Sequence, residues 1–192
     1  MEMLKTRRPF SSGTLVLPFL ILGIALGVAT SFGLSKDALM QIGDMSDKLS
    51  ICVSDNWLNA FLTSFFGAEI FLIALFICGF GAVFQPISIA ICILRGMGLG
   101  ICARGTYISS SPFVSVASFL PFAVLSTVII LAQAKQSMHL SGCYLALSTT
   151  TENRLGIKNE ASDYTAKFVY FSLILATICA LDCLLLRLFF AI

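Results

Sequence analysis

Residues 58–80, LNAFLTSFFGAEIFLIALFICGF, decide the fold. Glu69 is the single charge in the run. A stretch so long and so apolar has no polar face to offer water. It reads as an α-helix crossing a hydrocarbon layer, because only a helix or a closed barrel satisfies its backbone polar groups there.

The rest of the chain has the same character. Of its 192 residues 58% are hydrophobic and 11% charged, and the mean hydropathy is +0.96. A soluble domain carries roughly 25% charged residues. A chain this small cannot hide so much apolar surface from water. A membrane barrel would alternate polar and apolar residues in strands of ~10 residues, whereas here the apolar residues come in unbroken runs. The expected fold is all-α: a polytopic helical membrane protein of about five transmembrane helices. Residues 1–192 form one integral membrane domain whose principal partner is the lipid bilayer. No basic nucleic-acid patch is present.

Five segments follow, at about 15–32, 58–80, 87–103, 112–134 and 168–192. The first is preceded by Lys5, Arg7 and Arg8. Its eighteen residues reach about 27 Å, enough for a thin bilayer core. A basic start and an apolar run also describe a signal peptide. The run is longer than a usual signal core and no clean A-x-A site closes it, which favours a retained anchor. Residues 34–57 make a net acidic loop with Asp37, Asp44, Asp47 and Asp55 against Lys36 and Lys48, and Trp57 stands where interfacial aromatics gather. Gly79, Gly81, Gln85 and Pro86 mark a turn or kink. Residues 135–167 are the longest polar stretch. Its first part could prolong the fourth helix into water, and 148–163 reads as a loop.

The excess of Lys and Arg on cytoplasmic flanks orients the chain. An inside N-terminus puts the acidic 34–57 loop outside, the 135–167 loop inside and the C-terminus outside. Arg104 alone then falls on the wrong side. The expected location is a bacterial inner membrane.

Glu69, Arg95, Asp182 and Arg187 lie inside apolar segments. A charge at the bilayer centre costs about 2.5–3.5 kcal/mol on insertion scales, so such residues turn to a protein interior or a wet cavity. Arg95 sits in ILRGMGLG, where Gly96, Gly98 and Gly100 include a G-x-x-x-G spacing that permits close helix approach. Two readings of Arg95 compete. In one it binds an anionic group or pairs with Glu69 in a polar core; in the other it snorkels or forms a fixed ion pair. Asp182 is expected against a neighbouring helix, and Arg187 at the interface.

Catalytic patterns are missing. The single histidine, His139, belongs to no H-E-x-x-H and no His/Cys set at metal spacing. Ser141-Gly142 beside it lacks an oxyanion-hole motif. RGMGLG mimics a nucleotide loop without its strand and helix. No enzyme, metal or cofactor is expected. The seven cysteines contain no C-x-x-C, and Cys52 alone lies in the exterior loop, so no disulfide framework is indicated.

Four stretches together resemble the stage II sporulation protein M family of bacterial membrane proteins. They are WLNAFLTSFF (57–66), CGFGAVFQPISIAICILRGMGLG (78–100), LPFAVLSTVIILAQAKQSMHLS (120–141) and LDCLLLRLF (181–189). The loop at 143–163 matches nothing in that pattern. The resemblance implies a non-catalytic scaffold of the engulfment complex, anchoring peptidoglycan hydrolases at the septal membrane. The rival expectation is a small transporter or channel subunit with Glu69, Arg95 and Asp182 in a polar core. A homo-oligomer stays open on either reading.

Overall fold

A computed structural model describes residues 12–35, 39, 57–108, 112–149 and 154–190. These form five α-helices and no strand: α1 (Ser12–Ser31), α2 (Trp57–Gly79), α3 (Gln85–Ile108), α4 (Pro112–Thr149) and α5 (Arg154–Phe190). α2, α3 and the Asn159–Leu185 stretch of α5 are long and apolar enough to cross a membrane, and Val16–Ser31 of α1 is a shorter apolar helix.

The helix bounds correct the expected loops. Residues 135–149 continue α4, and α5 begins at Arg154, well before the expected boundary at 168. The cause is packing: Ser137, Met138, Leu140 and Ser141 are buried on one side of the prolonged α4, and Tyr164 is buried on α5. Residues 150–153 lie outside the described residues, as does nearly all of the acidic 34–57 loop. α3 is longer than expected and carries Arg104 within it. Pro86 stands in its first turn, where a missing N–H leaves no helical bond unmade.

Side-chain pairings fix the helix directions. Gly23 and Gly27 of α1 face Ile93 and Met97 of α3, so these two helices run parallel. Arg95 meets Ser126 and Ser88 meets Ser137, so α4 runs against α3. Leu75 meets Tyr164 and Glu69 meets Ser172, so α5 runs against α2. The turn at 80–84 and the α4–α5 connection therefore share one end, where the Ser141 hydroxyl donates to the Gly81 carbonyl at 2.7 Å.

The α1–α3 contact is built from glycine. A β-carbon on Gly96 would stand 2.5 Å from the Leu20 carbonyl oxygen, and one on Gly100 would strike the Ile24 carbonyl. Gly23 and Gly27 meet Ile93 and Met97 in the same way. Two G-x-x-x-G faces thus press backbone on backbone, the route to affinity where lipid removes the hydrophobic drive between helices. Gly98, expected to share this packing, is exposed, and a β-carbon there would meet nothing within 4 Å. Being two residues from Gly96 and Gly100, it falls on another helix face.

The interior joins Ala68, Leu72 and Leu75 of α2 to Ile130 and Ala134 of α4 and to Leu175 and Cys179 of α5. The outside is as apolar as the inside. Leu17, Ile21, Phe66, Ile70, Ile77, Leu94, Val128, Leu173 and Leu184 are all exposed. Apolar surface on this scale suits contact with lipid or with other apolar helices. Cys78, Cys92 and Cys143 are free thiols.

Candidate functional site

A row of buried polar side chains lies along α4. Ser126, Gln133, Ser137 and Ser141 are each 0% exposed. Their spacing of seven, four and four keeps them on one helix face. Each reaches a different group. Ser126 accepts from Arg95 Nη2 at 2.8 Å and donates to the Ala123 carbonyl at 3.2 Å. Gln133 Nε2 donates to the Tyr164 hydroxyl at 3.1 Å. Ser137 and Ser88 share a hydrogen bond at 3.3 Å. Ser141 holds the Gly81 turn.

Tyr164 closes the last turn of α2. Its hydroxyl lies 3.0 Å from the Leu75 carbonyl and 3.2 Å from that of Phe76. Carbonyls in a helix's final turn lack a partner within the helix, and this phenol supplies one. Gly79 makes the approach feasible, since a β-carbon there would overlap the Tyr164 ring. Phe76 stacks on Tyr164 and Phe168 at 5.4 and 4.3 Å between ring centroids, adding aromatic contact to the polar anchor.

The intramembrane charges are handled separately. Arg95 bonds Ser126 and lies 5.5 Å from the centroid of the Phe71 ring, while its Nε is buried without a partner. Glu69 is 6% exposed; its Oε1 accepts from the Ser172 hydroxyl at 2.8 Å and its Oε2 has no partner. Their hydrogen bonds go to different helices: Arg95 bonds Ser126 of α4 while lying against Phe71 of α2, and Glu69 bonds Ser172 of α5. Asp182 is half-buried on α5 and engaged within the protein. It is ten residues past Ser172, about 15 Å further along the helix axis. Arg187 is exposed. Glu69, Arg95 and Asp182 therefore do not converge on one point.

At the other end of α3, Arg104 donates to Ser31 Oγ at 3.1 Å and lies 3.8 Å over the Phe32 ring. A cation over an aromatic face is stabilised by roughly 0.5–2 kcal/mol. That local pairing fixes the arginine at the end of α3 against α1.

A crevice of about 480 Å³ opens between α1, α3 and α4. Its walls include Leu20, Ile24, Leu99, Val124 and Leu131, with Thr106 and Thr127 the hydroxyl-bearing residues among its lining. Such a surface suits hydrocarbon and gives no foothold to an ion.

Sequence reading passed over one cluster. His139 and Cys143 stand one turn apart on α4, and Glu160 comes from α5; their ligand-type atoms all lie within 4.8 Å of one another. The expectation of no His/Cys set at metal spacing is corrected by this geometry. The i, i+4 spacing was readable, but only once 135–149 is a helix. The Cys143 thiol is pushed up to about 11, first by burial and then by its hydrogen bond to Glu160 and that carboxylate's charge. A thiol held protonated in this way is a poor nucleophile.

Comparison of the chain with protein-family models, with curated proteins and with solved structures returns no match.

Proposed function

We propose that this chain is a non-catalytic membrane scaffold of five crossings, with its N-terminus inside and its C-terminus outside a bacterial inner membrane. One observation carries the reading: the buried polar side chains along α4 bind other parts of the same chain. Ser126, Gln133, Ser137 and Ser141 are spent on holding helices and a turn together. A conduit would need some of them turned toward a shared wet space. Glu69 and Arg95 instead make their hydrogen bonds to different helices, and the crevice beside α1 is apolar. The shared end of the 80–84 turn and the α4–α5 connection agrees with alternate crossings, and Lys135 and Lys167 at that end agree with a cytoplasmic face.

The partners are inferred from the resemblance to the stage II sporulation protein M family: peptidoglycan hydrolases held at the septal membrane, met on the exterior side. Affinity purification of the full chain from crosslinked membranes tests this. Wall-degrading enzymes should co-purify, and deletion should stall engulfment. Purification free of any wall-remodelling partner, together with normal engulfment in the deletion strain, overturns it.

A further inference from the structure

We propose that His139, Cys143 and Glu160 form a binding site for a divalent transition metal of the zinc class, tying the aqueous ends of α4 and α5 together. This does not rest on the scaffold reading.

The donor set is imidazole nitrogen, thiolate sulfur and carboxylate oxygen. That mixture suits zinc, cobalt or nickel, and it disfavours calcium and magnesium, which take oxygen ligands. Four residues on a helix bring two side chains to one face one turn apart, so His139 and Cys143 form a ready pair on α4. Glu160 supplies the third donor from α5, within the same 4.8 Å. A tetrahedral site with bonds of ~2.0–2.3 Å sets its ligand atoms roughly 3.5 Å apart. The three side chains need to draw in by only about 1 Å, and His139 and Glu160 are exposed and free to do so.

Exposure of two ligands leaves the fourth position to water, the arrangement of an open rather than a sealed site. In the metal-free cluster the Cys143 thiol and Glu160 are hydrogen-bonded to each other. On binding, the S–H bond breaks, the proton leaves to solvent, and a metal–sulfur bond takes its place. The metal then sits between a thiolate and a carboxylate, so two negative charges that would repel become joint ligands. The link ties α4 to α5.

The test uses the full chain without a polyhistidine tag, purified in detergent micelles and titrated with Co²⁺. The expected result is saturation at one equivalent with a near-ultraviolet thiolate-to-cobalt absorption band, displaced by Zn²⁺ and untouched by Ca²⁺ or Mg²⁺. Cys143→Ser should abolish the band, and His139→Ala should weaken binding roughly tenfold or more. Helical circular dichroism and a monodisperse elution profile establish that both variants are folded. Non-saturating binding, displacement by Ca²⁺, or a band that survives in both variants overturns the proposal.

Discussion

Gly96 and Gly23 face each other so closely that a β-carbon on Gly96 would lie 3.0 Å from the Gly23 α-carbon. The obstacle is backbone, which cannot rotate away. Gly96→Ala should therefore destabilise the protein by about 1–3 kcal/mol, the usual range for overpacking. Gly98→Ala, two residues along and facing open space, should be neutral or stabilising by up to ~1 kcal/mol through helix propensity. Unfolding of both variants in the same detergent checks the contrast. Equal effects would mean that α1 does not dock on this face.

Tyr164 and Gln133 should behave as one unit. Tyr164→Phe leaves the Leu75 and Phe76 carbonyls and Gln133 Nε2 without their shared partner. The expected loss is about 1–3 kcal/mol, the cost of orphaned buried polar groups. Gln133→Leu in that background removes one orphan, so the double variant should be less damaged than the sum of the two single ones. A double-mutant cycle on unfolding free energies measures that coupling.

Glu69 separates scaffold from conduit. Its Oε1 accepts a hydrogen bond from Ser172 and its Oε2 accepts none. Glu69→Gln keeps the acceptor and removes the charge, so stability should hold or rise, by at most about 3 kcal/mol. Ser172→Ala should lower it by about 1 kcal/mol. Severe destabilisation by Glu69→Gln, read from unfolding in bilayers or detergent, would reveal a cationic partner at that carboxylate and favour transport.

Cys143 should react slowly with alkylating reagents at neutral pH in metal-free protein, faster as pH climbs toward about 11. The thiolate is the reactive form, and burial and Glu160 both disfavour it. Glu160→Gln removes the carboxylate charge that raises the thiol, so alkylation at pH 8 should accelerate. Peptide-resolved mass spectrometry distinguishes Cys143 from the other cysteines. An unchanged rate would show that Glu160 does not govern this thiol.

Much of the architecture is legible in composition, because unbroken apolar runs leave a chain few options. The Gly96/Gly100 face was readable for the same local reason: spacing on one helix. Its counterpart, Gly23 and Gly27, was not singled out, since only the tertiary fold says which small-residue faces meet. The α4 polar face escaped notice because scattered serines in an apolar run look like tolerated substitutions until their partners on α3, α5 and the 80–84 turn are known. The start of the 135–167 stretch reads as a possible continuation of the fourth helix, whereas 148–163 reads as loop because its polarity outweighs its pattern. Buried Met138, Leu140 and Tyr164 supply the packing that makes them helical. Glu160 could not be joined to His139 and Cys143 without that hairpin.

Parallel alignment of α1 with α3 has a cost during biosynthesis. α1 is synthesised before α3, so its glycine face stays bare until α2 has been made and α3 follows. In that interval the same face on a second nascent chain presents matching geometry. Slow elongation or crowding at the translocon would therefore favour exchange of α1 between neighbouring copies, and rapid synthesis of α3 guards against it.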